Sequence, residues 1–194
     1  MVQSVLTWRV AVSEHSSTKL TYDDYLLFPD DGLRHEIIGG EHYVTASPVT
    51  RHQRILLNLA YLIQTHLEEH PTGELLPGPV DVLLSETDIV VPDLLYVSRE
   101  RSQIITEKNL PGVPDLVIEI LSPSTRSRDK RLKRDLYERV GVKEYWLVDS
   151  DLDVVTVCRL AAEAFAEPLH YERGSTFTTP LLPELDLPVD RIFG

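Results

Sequence analysis

The longest regular pattern of apolar positions runs from Thr50 to His70. Ile55, Leu59, Leu62, Ile63 and Leu67 recur there at steps of three and four, so the spacing predicts one amphipathic helix. Pro71-Thr-Gly73 stops it. Before it, Thr21–Phe28 opens on a capping threonine with acids in its first turn and predicts a short helix ended by Pro29-Asp-Asp-Gly32. Leu33–Thr45 alternates around Gly39-Gly40, the signature of a β-hairpin whose turn needs positive φ.

Beyond the long helix the period shortens. Glu74–Leu76, Val80–Leu84 and Ile89–Val97 read as successive strands, and Arg99–Gly112 as a polar loop with room for a helical turn. Asp115–Leu121 is a further strand. A helix follows from about Arg126 to Val140, closed near Gly141. Lys143–Asp149 and Asp153–Arg159 form a strand pair across an Asp-rich turn. His170-Tyr-Glu172 and Phe177-Thr-Thr179 suggest a small hairpin, and the proline-rich end an irregular strap. Residues 1–18 show no sustained period and read as a tail, leaving 19–194 as a single domain.

Composition sets the outer bounds. The chain has 194 residues, 42% apolar and 26% charged, enough to bury a core without disulfides. No apolar run approaches the roughly 20 residues that span a bilayer, so no membrane association is expected. The first ten residues make a poor secretory signal, and Cys158 has no cysteine to pair with, which fits a cytoplasmic location. A net charge of −12 excludes a generically basic nucleic-acid surface. The stretch Arg126–Arg134 departs from that background: six Lys or Arg against one Asp give it +5 and leave −17 for the rest. On charge alone it is a solvated helical face.

Its neighbours change that picture. Two apolar strands each carry a carboxylate, Asp93 and Glu119, and a buried carboxylate needs a partner. A hard divalent cation is the simplest partner for two that converge. Asp115 and Glu119 share a face of one strand but lie roughly 13 Å apart, too far to share an ion. Asp93, on a neighbouring strand, pairs better with Glu119, and Asp115 becomes a structural residue at the strand's start. On the following helix Leu132, Leu136 and Val140 define the buried face, with Lys133 at its border about 60° away. Its stem can pack while its ammonium reaches the sheet; the alternative is an Asp129–Lys133 surface pair. Arg131 and Arg134 point more to solvent, and Tyr137 lies one turn beyond Lys133. Glu36, read from the hairpin alone, is an exposed strand carboxylate.

His66-Leu-Glu-Glu-His70 matches the spacing of some zinc peptidases. His70 falls in the last helical turn, however, where the helix dipole favours a cation. His52, near the start of the same helix, is either a packed histidine or a contact at the edge of a site.

Taken together, Pro92-Asp93, Pro114-Asp-Leu-Val-Ile-Glu119, Leu121-Ser-Pro-Ser-Thr125, Asp129…Lys133…Tyr137 and Gly141-Val-Lys-Glu-Tyr-Trp-Leu-Val-Asp149 resemble the Uma-type family of restriction endonucleases, within the PD-(D/E)xK nuclease superfamily. The Arg34–Gly40 stretch resembles the family's opening strand, and His52 matches a histidine common at the start of its long helix. The resemblance implies an α+β fold, a mixed β-sheet flanked by helices with an added N-terminal hairpin. It implies a homodimer acting on DNA with Mg2+, for which Mn2+ can substitute. Asp93 and Glu119 would hold the metal, with Glu36 as a further acid. Leu121 stands where the superfamily has lysine, and Lys133 on the next helix matches the position from which relatives supply it. Lys133 would assist the attacking water, and Arg126, Arg128, Lys130, Arg134 and His52 would contact nucleic acid. The rival reading is a catalytically inactive nuclease-fold protein that binds nucleic acid or regulates.

Overall fold

The computed structural model describes residues 19–122 and 126–194. The expected tail and residues 123–125 of the Leu121–Thr125 motif lie outside them. Four α-helices occur among the described residues: α1 (Tyr22–Tyr25), α2 (Thr50–Glu69), α3 (Arg134–Val140) and α4 (Val189–Phe193). The strands in chain order are β1 (Arg34–Ile38), β2 (Glu41–Thr45), β3 (Gly73–Pro77), β4 (Val82–Ser85), β5 (Asp88–Val90), β6 (Leu94–Ser98), β7 (Leu110–Pro111) and β8 (Leu116–Leu121). They continue as β9 (Glu144–Asp149), β10 (Val154–Ala161), β11 (Ala164–Phe165), β12 (Leu169–Tyr171), β13 (Thr176–Thr179) and β14 (Leu182–Pro188).

The larger sheet runs β11-β10-β9-β8-β6-β3, with β12 also on β10, and the smaller runs β2-β1-β5-β4-β7. Within the larger sheet β8 and β9 are parallel, whereas β6 and β8 are antiparallel. The fold is therefore the expected mixed α+β arrangement with its N-terminal hairpin. Strand alternation decides what each face buries. Leu116, Ile118 and Ile120 pack with α2 and α4, while Val117 and Leu121 pack with α3 and the smaller sheet. The α2 stripe is buried at all five predicted positions, each worth about 1.5–3 kcal/mol of burial.

Four expectations need correction. The run Ile89–Val97 is two strands in different sheets, broken at Val91-Pro92-Asp93, because proline has no N–H for the ladder. Asp93 thus stands where the chain passes from the smaller sheet to the larger. Gly78 presses on this joint: its N–H bonds the Asp93 carbonyl at 2.9 Å, and an added Cβ would lie 2.4 Å from the Pro92 carbonyl oxygen. The proposed hairpin of residues 170–172 with 177–179 is absent among the described residues. β12 joins β10, and β13 pairs β14. The strap is accordingly a strand and a helix, with Pro183 and Pro188 tolerated because β14 has one ladder partner. Finally, Arg128–Lys133 winds as a π-helical turn ahead of α3. Wider turns rotate the helix phase, so Asp129, Lys133, Leu136 and Tyr137 form the buried face in place of Leu132, Leu136 and Val140.

Candidate active site

Strands β1 and β8, the start of α2, the Val91–Asp93 joint and the π-helical turn deliver charged side chains to one cavity of about 340 Å³. The β6–β8 register places Leu94 opposite Ile118, so Asp93 stands opposite Glu119. Asp93 Oδ1 receives Arg34 NH1 at 2.7 Å. Its Oδ2 lies 3.0 Å from His52 Nε2 and accepts the Ile120 N–H at 2.8 Å. Burial alone pushes the Asp93 carboxyl up, but the His52 and Arg34 contacts outweigh it and hold it at about 2.

Glu119 Oε1 accepts from Lys133 Nζ at 2.7 Å and from the Tyr137 hydroxyl at 3.1 Å. Lys133 Nζ also lies 2.8 Å from Glu36 Oε1 and 3.8 Å from Asp129 Oδ1. Burial pushes the Glu119 carboxyl up to about 8; Lys133 opposes the rise, while Asp129, Asp93 and Glu36 add to it. Lys133 is 1% exposed. Desolvation pulls its ammonium down, yet Glu119, Glu36 and Asp129 outweigh that and raise it above its ordinary value. One ammonium among several carboxylates stays protonated, and the group holds a further proton near neutrality.

Glu36 is fully buried, not the exposed carboxylate that the hairpin suggests. Its Oε1 accepts the Val91 N–H at 3.0 Å, and Oε2 lies 3.3 Å from Arg128 NH2. Arg128 also donates to Thr45 Oγ1 at 2.6 Å and stacks over Tyr43. Arg128 and His52 therefore line the cavity with the acids. Arg126, Lys130 and Arg134 lie outside its lining. Arg126 binds Asp149 and, at 2.6 Å, Asp151; Lys130 lies 3.5 Å from Asp149. Arg134 sits over Phe165 beside Glu138.

Arg34 drew no role from the sequence, and Asp129 only that of a surface partner for Lys133. Alternation along β1 signals the first, because Arg34 and Glu36 share a face. Asp129 required the π turn to be buried. Asp115 is structural, as expected, bonded to the Ser98 N–H, Arg101 and Lys143. In the zinc-like motif His66 stacks on His70 at 4.6 Å, and His70 lies 3.3 Å from Glu184. Among the described residues no three His, Cys, Asp or Glu groups are gathered to hold a metal by themselves.

No curated protein shows significant sequence similarity to the chain. In fold, it is similar to a crystal structure described as "a putative nuclease belonging to DUF820" from Anabaena variabilis ATCC 29413. The TM-score is 0.76 at 21% identity, covering 90% of this chain and 97% of that one. The family model Uma2, described as "Putative restriction endonuclease", matches residues 22–190, and the chain belongs to that family.

Proposed function

We propose that the chain hydrolyses DNA phosphodiester bonds with a divalent cation, Mg2+, for which Mn2+ substitutes. The observation that carries this reading is the return of the displaced lysine: Lys133 reaches Glu119 at 2.7 Å beside Asp93. The residues fit such a cation. Asp93 and Glu119 offer hard oxygens, and among the described residues both hydrogen bonds that Glu119 accepts fall on Oε1. Mg2+ commonly uses one or two carboxylates and completes its shell with water and phosphate. When bound, it would polarise the phosphate and acidify a water.

The chain's own groups then divide the work. Asp93 and Glu119 hold the cation. Lys133 keeps its proton on Nζ, so it offsets charge building on the phosphate instead of abstracting a proton. Glu36 holds Lys133 from the opposite sheet and orients it. Arg34 and His52 fix the Asp93 carboxylate, and Arg128 offers positive charge at the cavity wall.

The direct test is plasmid DNA incubated with the protein and Mg2+ or Mn2+. Nicking or linearisation is expected, with loss in Glu119→Ala. Cleavage that survives this change removes Glu119 from the mechanism. DNA retention without divalent-metal binding would instead favour the non-catalytic module.

A further inference from the structure

A second cavity of about 450 Å³ adjoins the first, and the two share Arg34, His52 and the segment 45–48 as their dividing wall. Arg34 lines both cavities, and its guanidinium bonds Asp93 at 2.7 Å. The second cavity differs in chemistry. Phe28 meets Tyr25 edge-on at 5.6 Å and lies 5.4 Å from His35, giving an aromatic side, and half-buried Leu56 adds apolar surface. Asp81 accepts the Tyr25 hydroxyl on Oδ1 at 2.7 Å, and Oδ2 takes no hydrogen bond from the described residues. Arg34 is the only Lys or Arg among the described lining residues, and it already serves Asp93. A phosphate is therefore disfavoured here, whereas a flat neutral group with a hydrogen-bond donor suits both the rings and the carboxylate.

We propose that this cavity takes an unpaired, amino-bearing nucleobase from the nucleotide next to the phosphate held in the first cavity. The inference rests on the nuclease reading and specifies its substrate. A base inside a duplex stack cannot enter a concave pocket; a single-stranded or extruded one can. Aromatic rings supply stacking that every base accepts. The Asp81 carboxylate accepts from an exocyclic amine, as acidic side chains do with cytosine N4, and repels the carbonyl edge of thymine.

The test is calorimetric titration of the full chain, with Ca2+ as the divalent cation, using dAMP, dCMP, dTMP and 2-deoxyribose 5-phosphate, none of which contains a phosphodiester bond to cleave. dAMP and dCMP should bind at least about ten-fold more tightly than the sugar phosphate, the scale of stacking on one aromatic face. Phe28→Ala should remove that margin, and Asp81→Asn, which preserves the bond to Tyr25, should erase the preference for dCMP over dTMP. Equal affinity for all four ligands, a margin untouched by both substitutions, or no binding of any nucleotide overturns the proposal. Plasmid nicking in Mg2+ reads the nuclease assignment separately. Cleavage of plasmid or of single-stranded circular DNA with equal affinities sinks the base site alone, and absence of cleavage of both DNAs sinks the assignment beneath it.

Discussion

The Lys133 ammonium lies 2.7 Å from the Glu119 carboxylate across 14 positions of sequence, both side chains closed off from solvent. The same ammonium lies 2.8 Å from buried Glu36, so removing it leaves two crowded buried acids without their shared cation. Lys133→Met should therefore cost about 3–5 kcal/mol of stability, read as a lower urea midpoint, and should abolish metal-dependent cleavage. The double change Lys133→Met with Glu119→Gln should recover part of the stability and none of the cleavage. A single variant as stable as the parent would contradict the buried pair.

The elevated Glu119 carboxyl makes metal binding pH-dependent. With a folded value of about 8 against an ordinary 4.5, its proton is held more tightly in the folded chain. That contribution to stability is full below about 4.5 and lost as pH rises towards 8. A cation bound at Glu119 must displace the proton. Mg2+ affinity should thus climb with pH and level off near 8, with proton release visible in calorimetry across buffers of different ionisation heat. Glu119→Gln should flatten the profile.

Asp93 behaves in the opposite sense. Held at about 2 against an ordinary 3.8, it contributes stability above 3.8 that disappears as pH falls through about 2. His52→Ala removes its largest stabilising contact. Acid unfolding, followed by circular dichroism, should then move to higher pH, while stability at pH 7 falls. An unchanged acid midpoint would show that Arg34 and the Ile120 N–H suffice.

Asp149 and Asp151 neutralise Arg126, and Asp149 also lies beside Lys130. Asp151 is 58% exposed on its side chain, so replacing it should not disturb the core. Asp151→Asn should strengthen DNA binding about two- to five-fold at low salt and steepen its salt dependence, as expected when a cation is freed for phosphate. Filter binding across a salt series measures both. No change in either would mean that Arg126 does not face DNA.

The long helix, the Gly39-Gly40 hairpin and the pairing of Asp93 with Glu119 were legible because periods of 3.6 and 2 mark buried faces directly. Lys133 was legible as a residue able to reach the sheet, but its full burial was not. A π-helical turn shifts the helix phase, and no residue type announces it. Glu36 looked exposed because hairpin alternation identifies a face without identifying what covers it. Arg128 and Lys133 cover it, from nearly a hundred residues away. The break at Pro92 was visible as a proline, yet its consequence, a change of sheet, depends on partners that local sequence does not specify.

That joint at Val91–Asp93 has a consequence for synthesis of the chain. Glu36 belongs to one sheet, Glu119 to the other, and Lys133 to a turn made later than both. On the proposed reading, a nascent chain cannot hold a competent centre before residue 133 has emerged and the two sheets have docked. Any chemistry at this centre therefore waits on residues from both sheets and the π-helical turn together.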